Sequence, residues 1–386
     1  MSLLLNSIDE LITRATTSGD LREIDAAVQN VYEHLSTSRP EECNEGLKRL
    51  APLIAETHPI PATRIALACG ALVEHGGDPE IAAPQIFTLA PGILAGAARF
   101  YELCKERASA DGLLPKAKDI QEGEDDDDDE GPAPQELAER YFGAIIEEFP
   151  EIAWSHVGEE TLTLALISHL AHSKKLRAQA RSIPELLDQS NELDAASYGT
   201  RSFLSKMLLV LDDASLLVLD SDQNKGYRAK ISGIADNFQL HTVLMGRLFG
   251  DPAEGWIDAE GFDMDQIRRA MTEVCDKSSP IIQGAFNLWN WSGVLPDGKL
   301  PSLKGQDQSN GFEHWIWNEG VPADIATFEG ERIVILGPPA YERSWRGGLI
   351  FNGMQPEFVV REKLSEEAVK QWFQKLGAAP KPPLSA

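Results

Sequence analysis

The chain has 386 residues, with 35 Lys and Arg against 61 Asp and Glu, four cysteines and a formal net charge of −26. That length allows two or three domains with sizeable cores, and 42% hydrophobic with 25% charged residues excludes wholesale disorder. Four cysteines are too few for a disulfide scaffold, and the acidic balance argues against a nucleic-acid partner because nothing neutralises the phosphates.

The first region, 1–118, predicts helices. Leu4, Ile8, Leu11 and Ile12 trace one apolar stripe, and Ile24, Val28, Val31 and Leu35 trace the next. Cys43, Leu47, Leu50 and Ile54 follow, then Ile65, Ala68, Cys69 and Leu72, all at helical spacing. Breaks fall at Gly19-Asp20, Pro40, Pro59 and Gly76-Gly77, and a further helix is expected from about Pro91 to Arg107. Helix starts about 20 residues apart give a pair about every 40, a length that resembles HEAT- or armadillo-like helical hairpins. No residue signature accompanies that length, so a helical bundle satisfies the same pattern. Three cysteines, Cys43, Cys69 and Cys104, lie on the apolar stripes and act there as small hydrophobes.

Residues 119–136 hold ten acidic side chains and no basic one, which predicts an extended acidic linker. Its functional reading is an arm that docks on a basic partner. The helices resume over 137–200, with Leu137, Tyr141 and Ile145 on one face and an apolar segment at Leu162 to Leu170. Lys174, Lys175, Arg177 and Arg181 form a short basic run, readable as an anion dock or as a solvated helix face.

From 201 to 386 the texture changes to a Trp-rich α+β domain, with seven of the eight tryptophans beyond residue 250. A hairpin is expected from Ser215–Asp220 and Tyr227–Ser232, and a helix starting near Asp236, a good N-cap, with His241 turned inward. A helix over about 263–275 follows, then strands at 281–291, 314–317, 332–336 and 357–361, and a closing helix after Ser365. The expected fold class is therefore α+β multidomain: an all-α N-terminal half, then an α+β domain with a mixed or antiparallel sheet. Trp289 with Trp291, and Trp315 with Trp317, share strand faces by alternation; with Trp345 they read as core, or as a stacking platform for a ligand where exposed.

Motifs for specific chemistry fail on inspection. Gly293 to Lys299 copies a phosphate-loop spacing, but Leu300 stands where the magnesium hydroxyl belongs. Asp220, Asp222 and Asn224 copy three calcium-loop positions, but Lys225 replaces the required glycine and Ile231 the closing glutamate. His156 with Glu160, and His169 with His172, lack any metal-binding signature, so no metal and no cofactor are expected. The remaining catalytic candidates are His314 as general base with Glu313 or Glu319 to orient it, Arg343 to hold an anionic group, and Tyr341 beside them.

The N-terminus has no cationic start before Leu3-Leu4-Leu5, and no apolar run nears the roughly 18 residues needed to span a bilayer. The expectation is a cytoplasmic protein-interaction or scaffold protein with a protein partner, without nucleic acid or membrane. The alternative is an enzyme or small-ligand binder with a pocket in the C-terminal domain.

Overall fold

The computed structural model describes residues 2–18, 20–114, 132–197, 203–301, 312–339 and 341–381. The chain divides into two compact units, Met1–Leu208 and Leu209–Ala386.

The regular elements of the first unit are, among the described residues, all helices. They are α1 (Leu3–Thr17), α2 (Leu21–Leu35), α3 (Pro40–Glu56), α4 (Pro59–Glu74), α5 (Ala83–Ala110), α6 (Pro134–Glu148), α7 (Pro150–Ala171), α8 (Lys174–Arg181), α9 (Pro184–Ala196) and α10 (Phe203–Leu208). The apolar stripes of the sequence are the buried faces: Leu4, Ile8 and Leu11 in α1, Ile24, Val28 and Val31 in α2. Ser2 and Asp20 cap these helices by accepting from the amides of Leu5 and Arg22, donors that have no partner inside the helix.

The prolines that break one helix also start the next. Pro40, Pro59, Pro134, Pro150 and Pro184 each stand in a first turn, where the missing N–H costs nothing. Pro134 to Glu136, placed by composition in the acidic linker, therefore belong to α6; residues 119–131 of that linker lie outside the described residues. Pro91 behaves differently. It sits inside α5, which begins at Ala83 rather than near Pro91, because Ile86, Phe87, Ala90, Ile93 and Leu94 are buried on both sides of it. Their burial outweighs an interior-proline cost of about 3 kcal/mol.

Packed hairpins build the core of this unit. α4 and α5 lie against α7, and α5 also against α6 and α9, so helices from both sides of the acidic tract share one interior. The α4–α7 contact is close enough to need a glycine: a Cβ at Gly158 would stand 2.9 Å from Thr63 Cγ2. The basic run is consumed structurally. Arg177 is buried and donates to the carbonyls of Leu170 (2.6 Å) and Ala171 (3.4 Å) at the end of α7, and Lys175 pairs with Glu80. No helix of the described residues is long and apolar enough to cross a membrane.

The second unit is a mixed sheet between helices. Its elements are β1 (Ala214–Asp220), β2 (Lys225–Ser232), α11 (Asn237–Leu248), α12 (Met264–Thr272), β3 (Ile281–Gln283), β4 (Asn287–Asn290), β5 (Thr327–Phe328), β6 (Glu331–Gly337), β7 (Ser344–Arg346), β8 (Glu357–Leu364) and α13 (Glu366–Ala378). The main sheet runs β4-β6-β1-β2-β8, with β5 also paired to β6; β3 and β7 form a separate ribbon. β1 and β6 are parallel, Leu216 opposite Arg332, and the other pairs are antiparallel.

Both faces of the sheet are covered. Leu216 and Val218 of β1 with Val334 and Leu336 of β6 pack beneath α11 and α12. Leu217, Leu219, Ile333 and Ile335 pack against Val369, Phe373 and Leu376 of α13. Strands covered on two sides carry continuous apolar runs rather than alternation, as Leu216-Leu217-Val218-Leu219 does.

Two strand expectations differ from the fold. The 281–291 run is two strands, because Gly284-Ala285-Phe286 carries the chain from the β3–β7 ribbon into the main sheet. The 314–317 segment is a 3-10 turn at Phe312–His314 followed by one antiparallel bridge from Trp315 to Trp289. Its neighbouring carbonyls are taken by α11: Asn237 N–H donates to Gly320 O (2.9 Å) and Phe238 N–H to Asn318 O (3.0 Å). Carbonyls that cap a helix are not available to a strand ladder.

Candidate functional site

Of the catalytic candidates, Tyr341 and Arg343 interact directly, and Glu319 is near enough for its charge to act on Arg343. Arg343 donates from Nη2 to Phe286 O at 2.8 Å, and burial lowers its pKa while the nearby Tyr341 and Glu319 oppose that shift. Tyr341 is half exposed, with its ring 6.1 Å from that of Trp315. His314 is absent from this group. Its Nδ1 lies 3.2 Å from Ser292 Oγ, and partial burial lowers its pKa. The partner of its Nδ1 is thus Ser292, and the carboxylate whose charge acts on the ring is Glu313.

The histidine beside Arg343 is His241 of α11. It is fully buried, and its pKa is pushed down to about 3, first by burial and then by the Arg343 charge. Phe286 N–H donates to its Nε2 at 3.4 Å, which assigns the proton of the neutral ring to Nδ1, an atom with no hydrogen-bond partner among the described residues. Its ring packs 5.6 Å from that of Phe286 and 4.8 Å from that of Trp345. This neutral, enclosed imidazole ties α11 to β4 and the β7 segment. The sequence marked it only as an inward helix position.

A cavity of about 600 Å³ lies elsewhere in the same unit, at the carboxyl ends of the parallel strands β1 and β6. That end of a sheet, where neighbouring loops diverge, is the usual ligand position in folds with parallel strands. The turn after β1 supplies Ser221, Asp222 and Asn224; the loop after β6 supplies Pro338 and Pro339. α13 forms a further wall with Lys370, Phe373 and Gln374, and the 297–301 loop closes the rim.

Local bonds hold these walls in place. Ser221 donates from both N–H (3.0 Å) and Oγ (2.9 Å) to Leu336 O, so the β1–β2 turn is tied to the end of β6. The buried Asp220 carboxylate accepts from the amides of Asp222 (2.9 Å) and Gln223 (2.7 Å). The glycine-rich segment at 293–299 is a tight turn, Gly298 N–H donating to Leu295 O at 2.8 Å, and not a phosphate loop opening a helix.

The cavity wall carries an unsatisfied donor. Trp289 is 2% exposed and lines the cavity, and its Nε1–H has no hydrogen-bond partner among the described residues. Gly337 lets the Trp289 indole pack close to the backbone: a Cβ there would stand 3.0 Å from Trp289 Nε1 and 3.0 Å from Leu300 Cδ1. One alternation along β4, Asn287 is 1% exposed and has neither amide atom paired. Buried polar groups left unpaired cost about 1–3 kcal/mol each, so they ask for a partner.

The ligand-platform tryptophans divide by burial. Trp289, Trp291 and Trp315 are buried on the α13 side of the sheet and Trp345 on the α11 side. Trp317 is half exposed, 5.8 Å from the Trp315 ring. Only Trp289 among them lines the cavity. No signal in the sequence collects the turn, loop and helix segments that form it.

The helical unit has a second cleft, about 570 Å³, lined by Leu21, Ile24, Leu53, Ile60, Pro61 and Trp154 among others. Among the described residues no group of three or more His, Cys, Asp or Glu side chains could hold a metal ion. Comparison with protein-family models, with curated proteins and with solved structures gives no match in any of the three.

Proposed function

We propose that the C-terminal unit binds a small organic ligand in the cavity at the carboxyl ends of β1 and β6. The observation that carries this reading is the Trp289 indole N–H, buried in the cavity wall without a partner. Trp289 and Phe373 offer apolar surface, and the amides of Asn224 and Gln374 stand on the rim. A volume of about 600 Å³ suits a metabolite-sized molecule.

The test is a screen of small aromatic fragments read in the indole N–H region of the ¹⁵N–¹H spectrum, with the Trp289 signal assigned by W289F. Hits should move that signal, and W289F should weaken them. A screen whose hits all leave Trp289 unmoved overturns the reading.

A second reading, a protein-interaction role for the helical unit, is favoured by its apolar cleft around Trp154. Crosslinking in cell extract with the full chain and its Trp154→Ala variant tests it; partners captured equally by both would count against the cleft. All four cysteines are free thiols, which supports a reducing, cytoplasmic location.

A further inference from the structure

Resting on the cavity reading above, we infer that the ligand is a small zwitterion with an aromatic body, of the aromatic α-amino acid class. Four charged side chains line the cavity: Asp222, Asp297, Lys299 and Lys370. Asp297 and Lys299 neutralise each other, 3.3 Å apart, and the Asp297 carboxylate also accepts from the Lys299 amide at 3.1 Å. Asp222 and Lys370 remain. Neither has an oppositely charged partner within 4.0 Å among the described residues, and they come from different walls, the β1–β2 turn and α13.

The cavity therefore offers one free anion and one free cation over an aromatic and proline floor. A ligand carrying a single charge satisfies only one of them. A zwitterion satisfies both: its ammonium faces Asp222, its carboxylate faces Lys370, and its ring lies against Trp289 and Phe373. Asp222 is held by the Ser221 bonds to Leu336 O, so the turn needs no rearrangement to receive it. The Trp289 N–H is left to donate to a carboxylate oxygen or a ring acceptor.

Four probes of one body separate the charges: L-phenylalanine, N-acetyl-L-phenylalanine, L-phenylalaninamide and N-acetyl-L-phenylalaninamide. Titrations of the full chain, read at the Trp289 indole signal, should rank L-phenylalanine tightest, with each lost charge weakening binding about two- to fivefold, as expected for exposed pairs. Lys370→Gln should weaken only the two probes with a free carboxylate, and Asp222→Asn only the two with a free ammonium. Both side chains are exposed, so neither variant threatens folding.

Equal binding of all four probes would overturn the zwitterion and leave the cavity reading intact. Fragment hits at Trp289 with none of the four probes binding would do the same. If neither fragments nor probes move Trp289, both readings fall.

Discussion

Replacing His241 by Gln should remove a specific part of the acid sensitivity of the C-terminal unit. The buried ring has a pKa of about 3, against about 6.5 for an unfolded histidine. As pH falls below 6.5 the unfolded state takes a proton that the folded state refuses until about pH 3, so the histidine lowers stability progressively across that window. Each pH unit well inside the window is worth about 1.36 kcal/mol, and the loss from pH 7 to pH 5 comes to about 2 kcal/mol. For a unit of this size that is about 4–8 °C in Tm.

Gln can still accept from Phe286 N–H and cannot titrate. Carboxylates and His169, whose pKa burial lowers to about 4, act in both proteins and cancel in the difference. The assay is thermal or urea unfolding of wild type and H241Q at pH 7, 6 and 5, plotted as wild type minus variant. That difference should shift against wild type by about 2 kcal/mol over the range, whatever the offset at pH 7. A difference that stays flat would show that His241 titrates alike in both states, and the enclosed neutral imidazole would be refuted.

Three further outcomes follow from named contacts. Gly158→Ala places a methyl 2.9 Å from Thr63 Cγ2 and should destabilise the helical unit by about 1–3 kcal/mol, measured by urea unfolding. Asp236→Ala removes the cap on the Gln239 amide and should cost about 1 kcal/mol; Asp236→Asn should restore most of it. Gly337→Ala puts a carbon 3.0 Å from Trp289 Nε1 and should weaken fragment hits at that indole more than it lowers Tm. Unchanged binding would show that the ligand does not depend on the indole edge packed against Gly337.

Much of the secondary structure is legible because its causes are neighbours in the chain. The stripe Leu4, Ile8, Leu11 and the caps Asp236 and Ser365 act within one or two turns, and each is found where the spacing places it. The hairpin of β1 and β2 is equally local, closed by four residues with Asn224 at φ +52°. Pro91 and the 314–317 segment escape this logic. In the first, burial on both sides overrides a local penalty; in the second, carbonyls serve a helix distant in sequence.

The site was less legible than the fold. Tyr341 and Arg343 are near neighbours in the chain and interact, whereas His314 faces Ser292, and the histidine beside Arg343 is His241. Asp222 carries only a failed calcium-loop pattern in the sequence and Lys370 no pattern at all, and most of the unit separates them along the chain.

Taken alone, the sequence determines the helical half and the α+β class, because periodicity and capping are short-range effects. The parallel pairing of β1 with β6, the neutral state of His241 and the cavity beside Trp289 are decided only by tertiary structure. Each of these depends on burial and on distances between segments far apart in the chain, and both quantities exist only once the chain has closed on itself.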